Sequence, residues 1–558
     1  MEYVIWSQLV VLIVSFAYQK RSENDNLKYW VAALTLGTSV VATLVLLQQL
    51  SAPASKYLHI YNFLTNCCEF GLLSDSLSIV TAWVVCTITA IANFYSIGYV
   101  KKKLGDFLLY LNLFALTTVL FAASGNLLQM FIFWEALTII SYFLVAFNRK
   151  EFSLEAAFKL LATHKFGDIG FIISAIIIFY TFESFSFAEI NKFFVGNDAH
   201  LEKMEIASIL MLISICVKSA QIGSTSWLKN AMAAPMPAAA LMHSLTLPTA
   251  GIFIIIRLQN LFECSELIQN ITIWIGMFGA VVYAIKAIFA INIEAMFTYS
   301  TCSQIGFTLA ACGFSAYGAA EVLFVAHAFS KAALIFAMGS VVHALSGEQD
   351  IKSMGGLFEL LPRTYITFVL TVASLISIPL LPSYYAKKVL LNEIISSNSP
   401  IYHIVVVLII LASILTSIYF FRMIYVIFHG EMKLTETSLA YLNEDERFII
   451  YPLYVSVFFA IFSGVFFYYA AYNDVFWNDV FAFLYAEGES ATLAFSVINF
   501  IGMIAAGLIY KSIKPVDLSL KFSFKIKDSW KEAYALWIKN IDTRLYQKCY
   551  LFIAKKSG

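Results

Sequence analysis

Charge is what this chain of 558 residues has least of. Asp, Glu, Lys and Arg make up 13% of it, about half the roughly 25% usual in soluble domains. The 36 basic side chains are balanced by 36 acidic ones, so no global field points to a nucleic acid or to an acidic partner. Cysteine is equally uninformative as a ligand: the eight residues (67, 68, 86, 216, 264, 302, 312 and 549) have no metal-ligand spacing, and the one close pair is adjacent. They read as small apolar fillers. A dinucleotide fingerprint, a P-loop and an iron–sulfur cysteine pattern are all missing, which leaves no redox chemistry for the chain itself. The opening "MEYVIWSQLVVLIVSFAYQK" lacks a basic leader and a small-residue cleavage site, and reads as a first spanning helix. Proline, at 10 residues, is outnumbered by 50 Phe and 30 Tyr, a palette that hints at an AT-rich genome such as an organelle's.

What the chain has instead is oil. It is 60% hydrophobic, with a mean hydropathy of +0.79, and apolar runs of about 20 residues, enough to cross ~30 Å of hydrocarbon, recur from end to end. The expected fold is an all-α polytopic membrane protein of about fifteen spans and no separate soluble domain. The spans centre near residues 10, 39, 87, 114, 136, 168, 214, 247, 280, 304, 332, 374, 414, 460 and 501. Basic loops follow spans 1, 3 and 5 ("QKRSENDNLK", "VKKKLGD", "NRKEF"), which sets the N-terminus outside and the basic tail after Lys511 inside. In that tail Trp530, Tyr534, Trp537, Ile541, Leu545 and Cys549 recur at helical spacing between charges, the pattern of an amphipathic surface helix.

Several ionisable groups interrupt the oil: Glu135, Lys165, Asp168, Lys218, His243, Lys286, His327, Lys331, His343, Lys387, Lys388 and Arg422. A Lys at the bilayer centre costs roughly 2.5–3.5 kcal/mol on insertion scales, so each group must be paired, hydrated or neutralised. Any one of them can be a satisfied polar contact or a snorkelling side chain. Acids, lysines and histidines spread over consecutive spans have the composition of a proton relay. Helix breakers sharpen this reading. "IGSTS" and "APMP" follow Lys218, and "LLPSYYAKK" surrounds Lys387. Broken helices at membrane depth persist only where protein or a hydrated cavity surrounds them, and two such breaks in separate halves mark an internal repeat.

The stretch "VKSAQIGSTSWLKNAMAAPMPAAALMHSLTLPTAG", with "YSTCSQIGF", "HAFSKAALIFAMGSVVHALSGEQDIKSMGGL" and "SIYFFRMIYVIFHGE", resembles the antiporter-like membrane subunits of respiratory complex I, and within them the subunit 5 branch. The likeness runs from about Phe107 to Glu431. It implies two inverted five-helix repeats, spans 4–8 (106–258) and 9–13 (259–428), preceded by spans 1–3 (1–105) and followed by spans 14–15 (429–512) and the tail (513–558). By motif it implies that Glu135 is the acid partner of Lys218, that His243, His327, Lys331 and Lys387 continue the relay, and that Asp168 is the acid of the sixth span. It further implies a multi-pass protein of the mitochondrial inner membrane, next to antiporter-like subunit 4 and accessory subunits. No cofactor is expected in this chain; NADH, FMN, iron–sulfur clusters and ubiquinone would be bound by partner subunits.

The sequence departs from the family pattern at Lys229 and Asn230 (usually Pro-Asp), Gly223 (Pro), Leu323 (His), Glu294 (Lys) and Lys388 (an acid). Gly223 is therefore expected to supply the first break, and Lys286 to compensate Glu294. The expected mechanism has Lys218 release a proton towards His243 when Glu135 withdraws, with charge moving on through His327 and Lys331 to Lys387. Opposite charges at ~4 Å interact by about 4 kcal/mol at an effective dielectric of 20, enough for such a switch. Two other readings stay open at this point: a cation/proton antiporter subunit of the multisubunit sodium type, and a structural subunit that has lost pumping.

Overall fold

A computed structural model describes residues 1–20, 26–51, 55–63, 68–193, 201–221, 223–345, 350–351, 354–378, 381–396, 401–430, 447–472 and 502. The fifteenth span apart from Gly502, the amphipathic tail and most of the "SGEQDIKS" loop lie outside the described residues.

Three helices open the chain: α1 (Glu2–Lys20), α2 (Asn26–Ser51) and, after a hairpin, α3 (Ser76–Tyr99). Next come α4 (Leu104–Ala122), α5 (Leu127–Val145), α6 (Glu151–Phe182), the short α7 (Phe187–Phe193), α8 (Leu201–Lys218), α9 (Ser226–Ala231), α10 (Met236–Leu241), α11 (Leu247–Arg257) and α12 (Gln259–Phe262). The second half holds α13 (Glu266–Phe289), α14 (Ile293–Gly313), α15 (Tyr317–Ala344), α16 (Pro362–Leu375), α17 (Pro382–Ser396), α18 (Tyr402–Ile424) and α19 (Arg447–Tyr472). Among the described residues, ten helical stretches are long and apolar enough to cross a membrane. Every expected span centre from residue 10 to residue 460 falls within a described helix. Exposed Phe166, Ile169, Ile172, Ile173 and Ile176 on α6 form the kind of surface that only lipid or another subunit can cover.

Residues 56–74 depart from the all-helical expectation. β1 (Lys56–Phe63) and β2 (Cys68–Ser74) pair antiparallel, with Lys56 opposite Ser74 and an irregularity between His59 and Tyr61. The hairpin docks on the end of α4, where the Leu73 N–H donates to Ala123 O at 2.8 Å. The hydropathy reading passed over it because two short strands make no 20-residue run.

Both expected breaks are present, and both are built in the same way. After α8, the Gln221 N–H reaches back to Cys216 O at 2.8 Å, with Ala220 in the left-handed region at φ 54°. After α16, the Ile378 N–H reaches back to Ala373 O at 3.4 Å, with Ser377 at φ 64°. Each is a Schellman-type ending, a position where glycine is usual. Gly223 (φ 81°) lies three residues further on, so Ala220, and not the expected glycine, ends the helix. The eighth span has its own irregularity: α10 passes into α11 through a π turn, Met242–Thr246, that carries His243. Pro248 lies just beyond and lacks the N–H that would continue the α ladder.

α15 is buried along its whole spanning length. It packs against α3, α10, α14, α16, α17 and α19 and forms the axis of the core. α13 and α14 meet backbone to backbone: a Cβ added at Gly306 would stand 2.5 Å from Gly276 O, the close approach that small residues permit between spanning helices.

Candidate functional site

Lys218 closes α8 at the first break and is 1% exposed. Its ammonium donates to Trp134 O at 3.0 Å and to Thr138 Oγ1 at 2.5 Å, and stands 4.3 Å from the Trp134 ring centre. All three contacts come from one turn of α5. The Trp134 indole in turn donates to Asp168 Oδ1 at 2.8 Å, which ties α5 to α6 behind the lysine. The acid partner differs from expectation. Glu135 pairs with Lys165 of α6, and Lys165 also lies 3.4 Å from Asp168 Oδ2. A step of one residue turns a side chain by about 100°, so Trp134 faces α8 while Glu135 faces α6. Glu135 and Asp168 remain among the charged neighbours of Lys218.

A second group surrounds α15. Lys331 is buried and donates to Phe297 O at 3.0 Å and to the Ser300 hydroxyl, with its ammonium 4.8 Å from the Phe297 ring centre. This repeats the Lys218 pattern of carbonyl, hydroxyl and ring, here supplied by α14. His243 and His327 are buried, and among the described residues none of their ring nitrogens has a hydrogen-bond partner. His327 stands beside the His243 backbone, and Lys331 is a charged neighbour of both histidines.

Lys387 stands apart. It is fully buried on α17, its ammonium has no hydrogen-bond partner among the described residues, and it sits 4.6 Å from the Phe307 ring centre. Lys388, the neighbouring cation, is only half-buried, because adjacent helical residues face different ways. The structure therefore places Glu135, Lys165, Asp168 and Lys218 in one cluster, His243, His327 and Lys331 in a second, and Lys387 alone. Lys286 is exposed and rests on the Tyr283 and Tyr299 rings; Arg422 donates to Ala290 O at 2.7 Å; His343 lies 5.7 Å from the Tyr99 ring.

Sequence reasoning passed over four other charged or titratable groups, although the same search for ionisable residues in apolar runs would have found them. His164 is buried beside Trp227. At the far end of α3, the Asp75 carboxylate, which also caps that helix, pairs with Arg257 of α11. Arg257 further reaches Ala122 O at 3.4 Å. The buried Glu321 of α15 is close enough to both to share their field.

Helices broken at mid-span, with a buried lysine beside each break, place the protein in the class of antiporter-like integral membrane proteins. The transmembrane family of NADH:quinone oxidoreductase and Mrp antiporter subunits matches residues 124–417, just over half of the chain, and the protein belongs to that family. It is 32% identical to the NADH-quinone oxidoreductase subunit L of Rickettsia bellii over 509 residues, covering 88% of this chain and 78% of that one. It is 33% identical to the NADH-ubiquinone oxidoreductase chain 5 of Chondrus crispus, covering 71% of this chain and 62% of the relative. The fold is shared with a chain of the Mrp complex from Dietzia sp. (TM-score 0.80, 19% identity, 98% of this chain and 60% of that one). It is also shared with a chain of the membrane-bound sulfane sulfur reductase, an archaeal respiratory membrane complex (TM-score 0.73, 18% identity, 90% of this chain and 98% of that one).

Proposed function

We propose that the protein is a membrane-arm subunit of a respiratory NADH:quinone oxidoreductase. In this reading it moves protons across the membrane while partner subunits oxidise NADH and reduce ubiquinone with their own FMN and iron–sulfur clusters. The observation that carries it is Lys218, a buried ammonium at a helix break that is held by a carbonyl and a hydroxyl while its carboxylates are engaged elsewhere. A cation held by neutral acceptors can give up its proton without leaving an unpaired carboxylate beside it. The relay then runs from Lys218, biased by Glu135 and Asp168, through His243, His327 and Lys331 to Lys387. The halves 106–258 and 259–428 form the two repeats, each holding one break.

The Glu135–Lys165 pair argues for a partner. The Lys165 side chain is 47% exposed in the middle of α6, and a charge at that depth is costly against lipid. A neighbouring subunit, in this reading antiporter-like subunit 4, would cover it. The likeness to mitochondrial chain 5 proteins supports placement in the mitochondrial inner membrane, and 32–33% identity to subunits L and 5 favours an oxidoreductase over a sodium antiporter.

Ion flux in vesicles holding the native complex separates these readings. NADH-driven proton uptake that is blocked by loss of this subunit is the expected result; sodium flux through the chain without electron transfer would replace the proposal with the antiporter reading.

A further inference from the structure

α6 carries a histidine that the relay above does not use. His164 is 1% exposed, and among the described residues neither ring nitrogen has a hydrogen-bond partner. Leaving a buried polar group unsatisfied is costly, and a histidine kept only for packing normally engages at least one nitrogen. It precedes Asp168 by one helical turn on the same buried face. Its ring stands edge-on to Trp227 of α9, centroids 4.4 Å apart. The Trp227 indole donates to Val217 O at 2.8 Å, so the wall that holds His164 is pinned to the residue before Lys218. The charged groups facing it are Lys218 of α8 and Lys165 of its own helix. Glu135 of α5 and Asp168 complete the set around Lys218, and Lys229 of α9 is exposed.

The seam between α6 and α8 is closed on one side of His164 and leads towards water on the other. Further along α6, a Cβ at Gly167 would stand 2.8 Å from Val217 Cβ, and one at Gly170 would stand 2.6 Å from Leu210 O. Contact that close leaves no room for water. In the opposite direction, the six residues of α9, about 9 Å of helix, lead from Trp227 to Met232 and Ala233. Those two line an open basin of about 1050 Å³, rimmed by Lys101, Lys102, Arg149 and Lys150. The basin therefore lies on the side of the basic loops, at the other end of α9 from the Trp227 that His164 touches, while Lys218 is a charged neighbour of His164.

From this geometry we infer that His164 is the proton carrier that loads Lys218 from the basin. One imidazole nitrogen accepts a proton from basin water, the other nitrogen gives one up to the neutral Lys218 amine, and a tautomeric exchange resets the ring. The inference rests on the reading of Lys218 as a relay group.

Three variants of the native complex in vesicles test it: Lys218→Met, His164→Asn and His164→Glu. Lys218→Met is expected to lower the protons moved per NADH oxidised, and His164→Asn to remove at least half as much. His164→Glu, which still titrates, is expected to recover output, with its half-maximal pH on the basin side moved to lower pH. An unchanged proton yield in His164→Asn overturns the inference while leaving the relay intact; an unchanged yield in Lys218→Met overturns the relay itself. Equal losses in the Asn and Glu variants, with the native pH profile, would make His164 a packing residue. If His164→Asn does not assemble, the pH profile of His164→Glu decides, and an unshifted profile overturns the inference.

Discussion

At the scale of residues, the site depends on how three buried lysines are held. Lys218 and Lys331 each take a backbone carbonyl, a hydroxyl and the face of an aromatic ring, whereas among the described residues Lys387 has the ring of Phe307 and no hydrogen-bond partner. A hydrogen bond to a charged group contributes about 1.5–3 kcal/mol. Thr138→Val keeps the shape and removes the hydroxyl, so NADH-driven proton uptake should slow about tenfold or more while the complex assembles in normal amounts. A native uptake rate would show that the Thr138 contact does not matter to the proton's movement. The sequence made the lysines visible, because a charge in an apolar run stands out. It did not show which acid each would meet. The Glu135–Lys165 pair depends on how α5 is rotated against α6, and hydropathy carries no rotational information.

Elements supply the next level. α6 and α8 approach so closely at Gly170 that a methyl group would meet Leu210 O at 2.6 Å, and a backbone oxygen cannot swing aside. Gly170→Ala should therefore part the two helices, destabilise the subunit by about 1–3 kcal/mol and lower its thermal transition in detergent, which a scanning fluorescence measurement would register. Ala220 makes the opposite prediction. A non-glycine residue in the left-handed region costs roughly 1–2 kcal/mol, so Ala220→Gly should raise that transition by relieving the turn after Lys218, provided the break keeps its shape. The breaks themselves were legible from their polar and proline-rich composition. Their mechanism was not, because Ala220 looks like any helix former until the Gln221 to Cys216 hydrogen bond is seen. The β1–β2 hairpin was invisible for a related reason: its strands are too short to register against spans of twenty residues.

For the molecule as a whole, α3 and α11 are joined at their ends by the Asp75–Arg257 pair, next to Glu321 of the central α15. Arg257 is buried and Asp75 half-buried, and removing the cation leaves that carboxylate partly desolvated and unpaired, so Arg257→Met should reduce the amount of assembled complex, as native gel electrophoresis would show. Span positions were legible up to residue 460 because a bilayer dictates length and polarity, and most of the family motifs lay within residues 124–417. The grouping of charges into two clusters and a solitary Lys387 arises only when those spans are packed around α15. The central claim is that Lys218 carries protons, and the most direct measurement is the number of protons moved per NADH oxidised by the reconstituted complex bearing Lys218→Met. The account predicts a lower yield with the complex fully assembled; a yield equal to that of the unmodified complex would contradict it.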